Sequence, residues 1–340
     1  MPEEIPLLSV KNLKKYYPVK GGIIPHTVAQ VKAVDGVDFS IGKGETLGLV
    51  GESGCGKSTV GRLVAALEQP TSGTVAFDGA VISGRKAGEL RCFRTRLQMV
   101  FQDSYSSLNP RKYIFDILAQ PMIYHKTVSR SEAGAEVERL LNLVGLPKSS
   151  GQRFPHEFSG GQRQRICIAK ALSLKPDLIV CDEPVSALDV SIQAQILNLL
   201  RNLQKEFRLT YLFIGHGLGA VNYISDRVAV MYLGKIVEIA PTKELFAHPA
   251  HPYTKALCAA VPNPDPDDRG KQFVLSGEAG TQAVKAGSGG ESTGCRFCPR
   301  CPAARPSCRE KEPQLLPVSP GHFAACPFAR IGETPEEEGE

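Results

Sequence analysis

Short apolar runs alternate with longer segments of helical periodicity along most of the chain. The runs end at glycine, proline or acidic residues, as strands do. We predict strands at residues 7–17 (an edge strand), 31–41, 46–50, 74–77, 97–101, 177–183, 210–214, 227–232 and 235–239. The main predicted helices are residues 60–67, 131–144, 162–174 and 186–207. Strands that alternate with helices in this way indicate an α/β fold with a mostly parallel sheet.

Turn residues place the connections between these elements. Residues 20–30 contain Gly and Pro and are predicted as a loop, and Asp78-Gly79 is typical of a hairpin turn. The last two strands are predicted to form a hairpin about Gly234. Tyr17 closes the first strand beside Pro18, where its ring could stack on an adenine or simply pack against the core.

Composition changes this picture little. The 340 residues are 42% hydrophobic and 22% charged, which is ordinary for a soluble chain with a sizeable core. The net charge of +5 is mild and gives no argument for a nucleic-acid partner. The sequence has neither a secretory signal at its start nor an apolar run approaching the ~18 residues of a membrane span. We therefore expect a cytosolic protein, unless a partner holds it at a membrane.

A glycine-rich segment follows the predicted strand 46–50 and precedes a predicted helix, as a phosphate loop does. Its glycines let successive backbone N–H groups point toward a phosphate. Lys57 could reach the β- and γ-phosphates, Ser58 could ligate Mg²⁺, and Thr59 could donate near the α-phosphate. The predicted nucleotide-binding residues are Gly51, Glu52, Ser53, Gly54, Cys55, Gly56, Lys57, Ser58 and Thr59.

Polar residues at the ends of three further strands would complete a hydrolytic site. Asp182 ends an apolar run and suits a second anchor for Mg²⁺. Glu183 beside it could accept the proton of the attacking water or orient that water. Gln102 could reach Mg²⁺ or the same water, and His216 could touch the γ-phosphate. Each alone has a plain structural alternative, but the phosphate loop favours the catalytic interpretation.

A second anion site is predicted at the start of the helix 162–174. Its glycines, hydroxyl and free N–H groups suit a phosphate. One chain needs only one such site for each nucleotide, so we expect a dimer in which this segment closes on the partner chain's nucleotide. The residues are Ser159, Gly160, Gly161 and Gln162.

Taken together, residues 7–262 resemble the ATP-binding subunits of ABC transporters. The matching motifs are the Walker A loop 51–59, the glutamine loop at Gln102, the signature 158–162, the Walker B strand 178–182, the D-loop 186–189 and the switch residue His216. Tyr17 lies where that family has its adenine-stacking aromatic. The resemblance implies an ATPase core with an antiparallel β subdomain, a helical subdomain at about 103–165, and ATP and Mg²⁺ as cofactors.

Three segments narrow the resemblance to the peptide and nickel importer branch: residues 101–110, 155–158 and 248–254. The branch implies an ATPase that energises import of di- or oligopeptides. A nickel or other small-solute importer, or a soluble non-transport ABC ATPase, is the alternative. By resemblance the partners are two membrane permeases, a second ATPase subunit that is either related or identical, and, indirectly, an extracytoplasmic binding protein. The chain would lie on the cytoplasmic face of the inner membrane.

One departure from the family pattern matters for the predicted site. Gly217 follows His216 where the family usually has an acid, and glycine loosens the start of the next helix by about 1 kcal/mol relative to Ala. We therefore expect Gly217 to loosen the placement of His216 and to affect the turnover rate.

Five of the ten cysteines lie between residues 295 and 326. Such clustered thiols suit Zn²⁺ or an iron–sulfur cluster, with free thiols as the other alternative. A similar run holds a [4Fe-4S] cluster in some peptide-importer ATPases, and Cys295, Cys301, Cys308 and Cys326 match its spacing; Cys298 is the extra thiol or replaces one of the four. We expect residues 295–330 to owe their fold to this metal. A linker at 263–294 precedes them, and a disordered acidic tail at 331–340 follows.

Overall fold

A computed structural model describes residues 5–21, 26–260 and 293–329 of the chain. The strands are β1 (Leu8–Gly21), β2 (His26–Ile41), β3 (Thr46–Val50), β4 (Ser72–Phe77), β5 (Ala80–Val81), β6 (Leu97–Val100), β7 (Leu178–Asp182), β8 (Thr210–Ile214), β9 (Arg227–Tyr232), β10 (Lys235–Pro241), β11 (Leu316–Ser319) and β12 (His322–Ala324). The α-helices are α1 (Lys57–Val64), α2 (Arg91–Arg96), α3 (Ile114–Tyr124), α4 (Ala133–Leu143), α5 (Gly160–Leu172), α6 (Val190–Phe207), α7 (Leu218–Ile224), α8 (Thr242–Ala247) and α9 (Pro252–Ala259).

Two sheets organise these elements. One is antiparallel, in the order β2-β1-β4-β5. The other has the order β11-β12-β10-β9-β3-β8-β7-β6, and its members from β9 to β6 pair in parallel. This arrangement confirms the α/β prediction of a largely parallel sheet. The turn Asp78-Gly79 has positive φ at both residues (51° and 77°), as a tight hairpin requires, and the hairpin about Gly234 is also present.

Alternating side chains of the parallel strands fill two hydrophobic cores. On β8, Leu212 and Ile214 face the core shared with α1 and the antiparallel sheet. Tyr211 and Phe213 face the opposite core, shared with α3, α4, α5 and α6. Because strands buried on both faces read as continuous apolar runs, these segments were recognisable in the sequence.

The first two strands correct two predictions. The strand predicted at 7–17 is β1, which lies between β2 and β4 rather than at an edge of its sheet. β1 and β2 also extend into the loop predicted at 20–30 and take up most of its residues. β1 continues past Pro18 because β4 pairs with it only as far as Lys14. Beyond that point β1 has a neighbour on one side alone, where proline's missing N–H costs no ladder hydrogen bond.

Three helices begin two to four residues away from the positions predicted from hydrophobic periodicity, because local caps and turns set their ends. α1 starts after Gly56, whose φ is 109°, and ends before Ala66, whose φ is 51°. α5 starts at Gly160, because the Ser159 hydroxyl accepts a hydrogen bond from the backbone of Gln162. The side chain of Asp189 caps α6, which therefore begins after it rather than at residue 186.

The C-terminal segment 293–329 adds two antiparallel strands to the eight-stranded sheet. β12 pairs with β10, and β11 continues the sheet beyond it. Phe297, Arg300 and His322 are buried in this contact. The predicted linker falls outside the described residues except for 293–294, and the predicted tail falls wholly outside them. Among the described helices, none combines the length and hydropathy needed to cross a membrane.

A buried carboxylate joins three elements at this junction. Glu238 on β10 is fully buried and accepts hydrogen bonds of 2.8 Å from the backbone N–H groups of Ala250 and His251, at the start of α9. Nε2 of His322 on β12 lies 2.7 Å from the same carboxylate. His251 caps α9 by accepting a hydrogen bond at Nδ1 from the N–H of Tyr253, and burial lowers the pKa of His251 to about 4.

We predict that His251 makes the protein less stable in acid. Its folded pKa lies below the unfolded value of about 6.5, so the unfolded chain binds the extra proton and stability falls as the pH drops from 6.5 toward 4. The loss amounts to about 3 kcal/mol. His251→Asn keeps a capping oxygen but does not titrate. Its free energy of unfolding in urea should therefore fall less over this pH range, and parallel pH curves for the two proteins would contradict the prediction.

Candidate nucleotide-binding and hydrolytic site

The phosphate loop lies between β3 and α1, and its backbone requires glycine at two closely packed positions. Gly51 and Gly56 have φ values of 152° and 109°. A Cβ on Gly51 would lie 2.1 Å from the carbonyl oxygen of Met231, and one on Gly56 would lie 2.0 Å from that of Ala33. No side chain fits such contacts, so the curled backbone depends on glycine.

The side chain of Lys57 lies across this loop. Its ammonium donates hydrogen bonds to the carbonyl oxygens of Gly51 (2.8 Å) and Glu52 (3.0 Å), and the residue is 4% exposed. Ser58, one residue later, donates from Oγ to Asp182 Oδ1 at 2.9 Å. The hydrogen bond from Ser58 to Asp182 therefore joins the loop to the end of β7, although the two are far apart in sequence.

Asp182 is a buried carboxylate at the site. Burial raises its pKa; the hydrogen bond from Ser58 opposes the rise, and the neighbouring charge of Glu183 adds to it. Burial makes the charged form of this carboxylate unfavourable, and a divalent cation would offset that cost. The carboxylate and the neighbouring Ser58 hydroxyl together therefore suit a cation. Asp182 and Ser58 thus fit the predicted Mg²⁺ anchors.

The three predicted catalytic side chains meet beside Asp182. Gln102 donates from Nε2 to Glu183 Oε2 at 2.9 Å, and His216 Nδ1 lies 3.4 Å from the same oxygen. Glu183 has a left-handed backbone (φ 47°), which only a few per cent of residues other than glycine adopt. Gly217 takes the N-cap position of α7 and provides no side-chain cap, yet His216 still lies in this group.

Tyr17 lies close to the phosphate loop. Its hydroxyl donates to Glu68 Oε2 at 2.6 Å, and the side chain of Thr59 lies near enough to lower its pKa. Burial and the hydrogen bond to Glu68 raise the pKa of Tyr17. The ring is therefore held next to the residue that ends the loop, as a nucleotide-stacking aromatic would be.

The predicted second anion site forms a capped helix start. Ser159 and Gln162 cap one another: the Ser159 hydroxyl accepts from the Gln162 N–H at 3.4 Å, and Gln162 Oε1 accepts from the Ser159 N–H at 3.1 Å. A Cβ on Gly161 would lie 2.5 Å from Ile192 of α6, so close helix packing requires glycine there. These hydrogen bonds stay within the turn, and none joins it to the phosphate loop of the same chain.

Four thiols of the C-terminal segment, those of Cys295, Cys301, Cys308 and Cys326, influence one another electrostatically. Burial raises the pKa of Cys295 and Cys326, and raises that of Cys301 to about 11; the nearby thiols of Cys308 and of one another add to these rises. Cys298 is buried between Cys295 and Cys301, and its backbone bonds to both. Within 5–21, 26–260 and 293–329, no three His, Cys, Asp or Glu side chains are grouped as metal ligands. The metal-bound extension therefore stays a prediction.

Two residues far along the chain anchor the phosphate loop, and the sequence alone does not assign them this role. The N–H of Glu52 donates to the Tyr253 hydroxyl at 2.9 Å. The Glu52 carboxylate forms two hydrogen bonds with the guanidinium of Arg300, in the cysteine-rich segment. Arg300 is 248 residues away in sequence, and no local pattern connects it to the loop.

This geometry, with a glycine cradle and a Ser–Asp pair at the edge of a parallel sheet, defines a P-loop nucleotide-binding protein. Two family models match the chain. "ABC transporter" matches residues 34–186, and "Oligopeptide/dipeptide transporter, C-terminal region" matches residues 237–308.

Known proteins resemble the chain over nearly its whole length. "Oligopeptide transport ATP-binding protein AppF" of Bacillus subtilis is 50% identical and covers 94% of this chain and 96% of its own. "Putative oligopeptide transport ATP-binding protein YkfD" of the same organism is 49% identical and covers 98% of both.

Solved structures share the fold of the core. The dimeric ATP-binding cassette MJ0796 bound to ADP and Pi is 27% identical, has a TM-score of 0.62, and covers 69% of this chain and 98% of its own. The cbiO1 protein from Clostridium perfringens, part of the ABC transporter complex cbiONQ, has the same identity and TM-score and covers 72% and 92%. The chain therefore belongs to the ABC transporter family, as one of its ATP-binding proteins, and is an ATPase.

Proposed function

We propose that this chain is the ATP-hydrolysing subunit that energises import of di- or oligopeptides through a membrane permease. The observation that carries the hydrolytic part is the meeting of Gln102, Glu183 and His216 at one carboxylate oxygen, beside the Ser58–Asp182 pair. Three polar side chains from three separate strand ends converge where the phosphate loop would hold the end of a nucleotide.

The phosphate loop binds the triphosphate through backbone N–H groups, and Lys57 supplies the adjacent positive charge. Its ammonium now bonds to the carbonyls of Gly51 and Glu52, so on binding it exchanges these partners for the β- and γ-phosphates. Ser58 and Asp182 would hold Mg²⁺, and Gln102 would supply a further ligand. The bound Mg²⁺ would neutralise charge that develops on the phosphate oxygens.

Glu183 accepts the proton of the attacking water or orients that water. The hydrogen bond from Gln102 directs its carboxylate, and His216 lies at the same oxygen, from where the imidazole reaches toward the γ-phosphate. Tyr17, whose hydroxyl is held by Glu68, stacks on the adenine.

Hydrolysis requires a second chain in this proposal. The helix start at Ser159, Gly160, Gly161 and Gln162 makes no hydrogen bond to the loop of its own chain. It closes instead on the nucleotide of a second ATPase subunit, identical or related. The MJ0796 cassette bound to ADP and Pi is described as dimeric, which supports this arrangement.

The names of the relatives support the peptide as cargo. Chains 49–50% identical over nearly the full length are named oligopeptide transport ATP-binding proteins. We assign residues 7–262 to the ABC domain, with 103–165 as its helical part. The ATPases act beneath two permeases on the cytoplasmic face of the membrane, and an extracytoplasmic peptide-binding protein delivers the cargo.

We predict that Glu183→Gln lowers the ATP turnover rate by about 10²–10⁴-fold. The amide cannot accept the proton of the water, but ATP and Mg²⁺ still bind. The variant should therefore accumulate as an ATP-bound dimer, measurable by size-exclusion chromatography with ATP. Glu136→Gln, which removes an exposed ion pair with Arg139, is the matched control and should hydrolyse ATP normally. Normal turnover by Glu183→Gln would remove Glu183 from its proposed role.

We predict that the tagged chain co-purifies from native membranes with two permease subunits and a peptide-binding protein. Uptake of a labelled dipeptide or oligopeptide by the cells should fall when Glu183→Gln replaces the native chain. Uptake of Ni²⁺ that falls while peptide uptake is unchanged would support the nickel alternative. Recovery of ribosomal or DNA-repair proteins without any membrane protein would support a soluble ABC ATPase.

We also propose that the thiols of Cys295, Cys301, Cys308 and Cys326 hold a metal centre, a [4Fe-4S] cluster or Zn²⁺. What supports this is the spacing of the four cysteines in the sequence, the electrostatic effect of their thiols on one another, and the 2.7 Å hydrogen bond from the Cys295 N–H to the Cys308 carbonyl. Four thiolates suit either centre. The centre stabilises the segment and takes no part in hydrolysis.

We predict that Cys301→Ser lowers the metal content of the anaerobically purified chain by more than half, because it removes one of four ligands. Cys298→Ser should leave the metal content unchanged. Elemental analysis and the visible absorption spectrum measure the amount of metal and distinguish iron–sulfur from zinc. A chain without bound metal, or equal losses in the two variants, would contradict the proposal.

A further inference from the structure

Glu52 places a carboxylate inside a loop that binds an anion. It is the second residue of the phosphate loop, directly after Gly51. Like charges repel at short range, and the repulsion grows where water is excluded. An unpaired carboxylate at this position would therefore weaken the binding of a triphosphate, and the structure must place a compensating charge nearby.

The compensating charge comes from the C-terminal segment. The Arg300 guanidinium contacts both carboxylate oxygens of Glu52, with Nη1–Oε2 and Nη2–Oε1 distances of 2.9 and 3.0 Å. The arginine side chain is 4% exposed and the glutamate side chain 24%. Such a bidentate pair fixes the direction of the carboxylate as well as neutralising it.

Aromatic side chains hold this pair in place. Tyr232, at the end of β9, has its hydroxyl 3.4 Å from Arg300 Nη1. The Tyr253 hydroxyl accepts the hydrogen bond from the Glu52 N–H. Phe297, three residues before Arg300, packs against both tyrosines at ring-centroid distances of 5.3 and 5.4 Å. Both the side chain and the backbone of Glu52 are thereby anchored to the junction with the C-terminal segment.

We propose that Arg300 is a positioning residue of the ATP site: it neutralises Glu52 and holds its carboxylate away from the bound phosphates. The C-terminal segment thus supplies the positive charge that offsets the carboxylate of the phosphate loop. The inference rests on the proposed role of residues 51–59 in holding ATP. It assigns to residue 300 a function in ATP affinity and none in the chemical step.

The test measures the affinity of the full chain for Mg-ATP by calorimetry, together with KM and kcat. Arg300→Gln should raise Kd and KM by about three- to tenfold, because it leaves the Glu52 charge unpaired. It should change kcat by less than about twofold, because only binding is affected. Arg300→Lys, which keeps the charge without the fork, should lie in between.

The sign of the effect separates a charge role from a merely structural one. Glu52→Gln should bind ATP at least as tightly as the native chain, and the double variant Arg300→Gln/Glu52→Gln should recover near-native affinity. Glu52→Gln leaves the buried arginine in place and so tests the idea even if Arg300→Gln does not fold. Glu312→Gln is the control: it breaks ion pairs of the same segment with Lys235 and Arg296, which do not contact Glu52.

Three results would overturn the inference. They are native ATP affinity in Arg300→Gln, a double variant as weak as Arg300→Gln alone, and an equal loss of affinity in Glu312→Gln. The last would show that docking of the segment, rather than the charge of Arg300, sets the affinity. A native chain that binds no ATP would contradict the proposed function itself, and the inference with it.

Discussion

Parallel pairing of β3, β8, β7 and β6 is the constraint on which the rest of the site depends. In a parallel sheet all carboxyl ends lie on one edge, so the residues after each strand are neighbours whatever their distance in sequence. This edge brings together Gly51, Gln102, Glu183 and His216, which follow the four strands. β3, β7 and β8 are buried along their whole length. A shift in the register of any of them would therefore displace its apolar residues and also the site residue that follows it.

The same constraint explains why so much of the site could be predicted from the sequence. A buried parallel strand is a continuous apolar run, and the polar residue that ends it can be found by inspection. Asp182 and His216 were found in this way, and the glycine loop was found by its own pattern. Helix starts were harder to predict. The helical pattern of the sequence begins at residue 186, but the hydrogen bond from the Ile192 N–H to the Asp189 side chain makes Asp189 the cap, so that α6 begins after it.

What could not be predicted is contact across the fold. Arg300 and Tyr253 contact Glu52 although they follow it by more than 200 residues in the sequence. No sequence pattern around either residue indicates that Glu52 is its partner. The lengths of β1 and β2 were underestimated for a related reason. A proline such as Pro18 is tolerated in a strand where the strand has a neighbour on only one side, and the local sequence does not reveal which strands are neighbours.

The junction between β10, β12 and α9 relates the C-terminal segment to the ATP site. Glu238 fastens β12 through His322 and fastens the start of α9 through two backbone N–H groups. α9 carries Tyr253, which bonds to the phosphate loop, and the same segment as β12 carries Arg300. Both contacts to Glu52 therefore depend on one buried carboxylate and its partners. Burying a carboxylate is costly, and the cost is offset only while its hydrogen bonds are made. Loss of this junction would therefore free both the side chain and the backbone of Glu52 from their anchors.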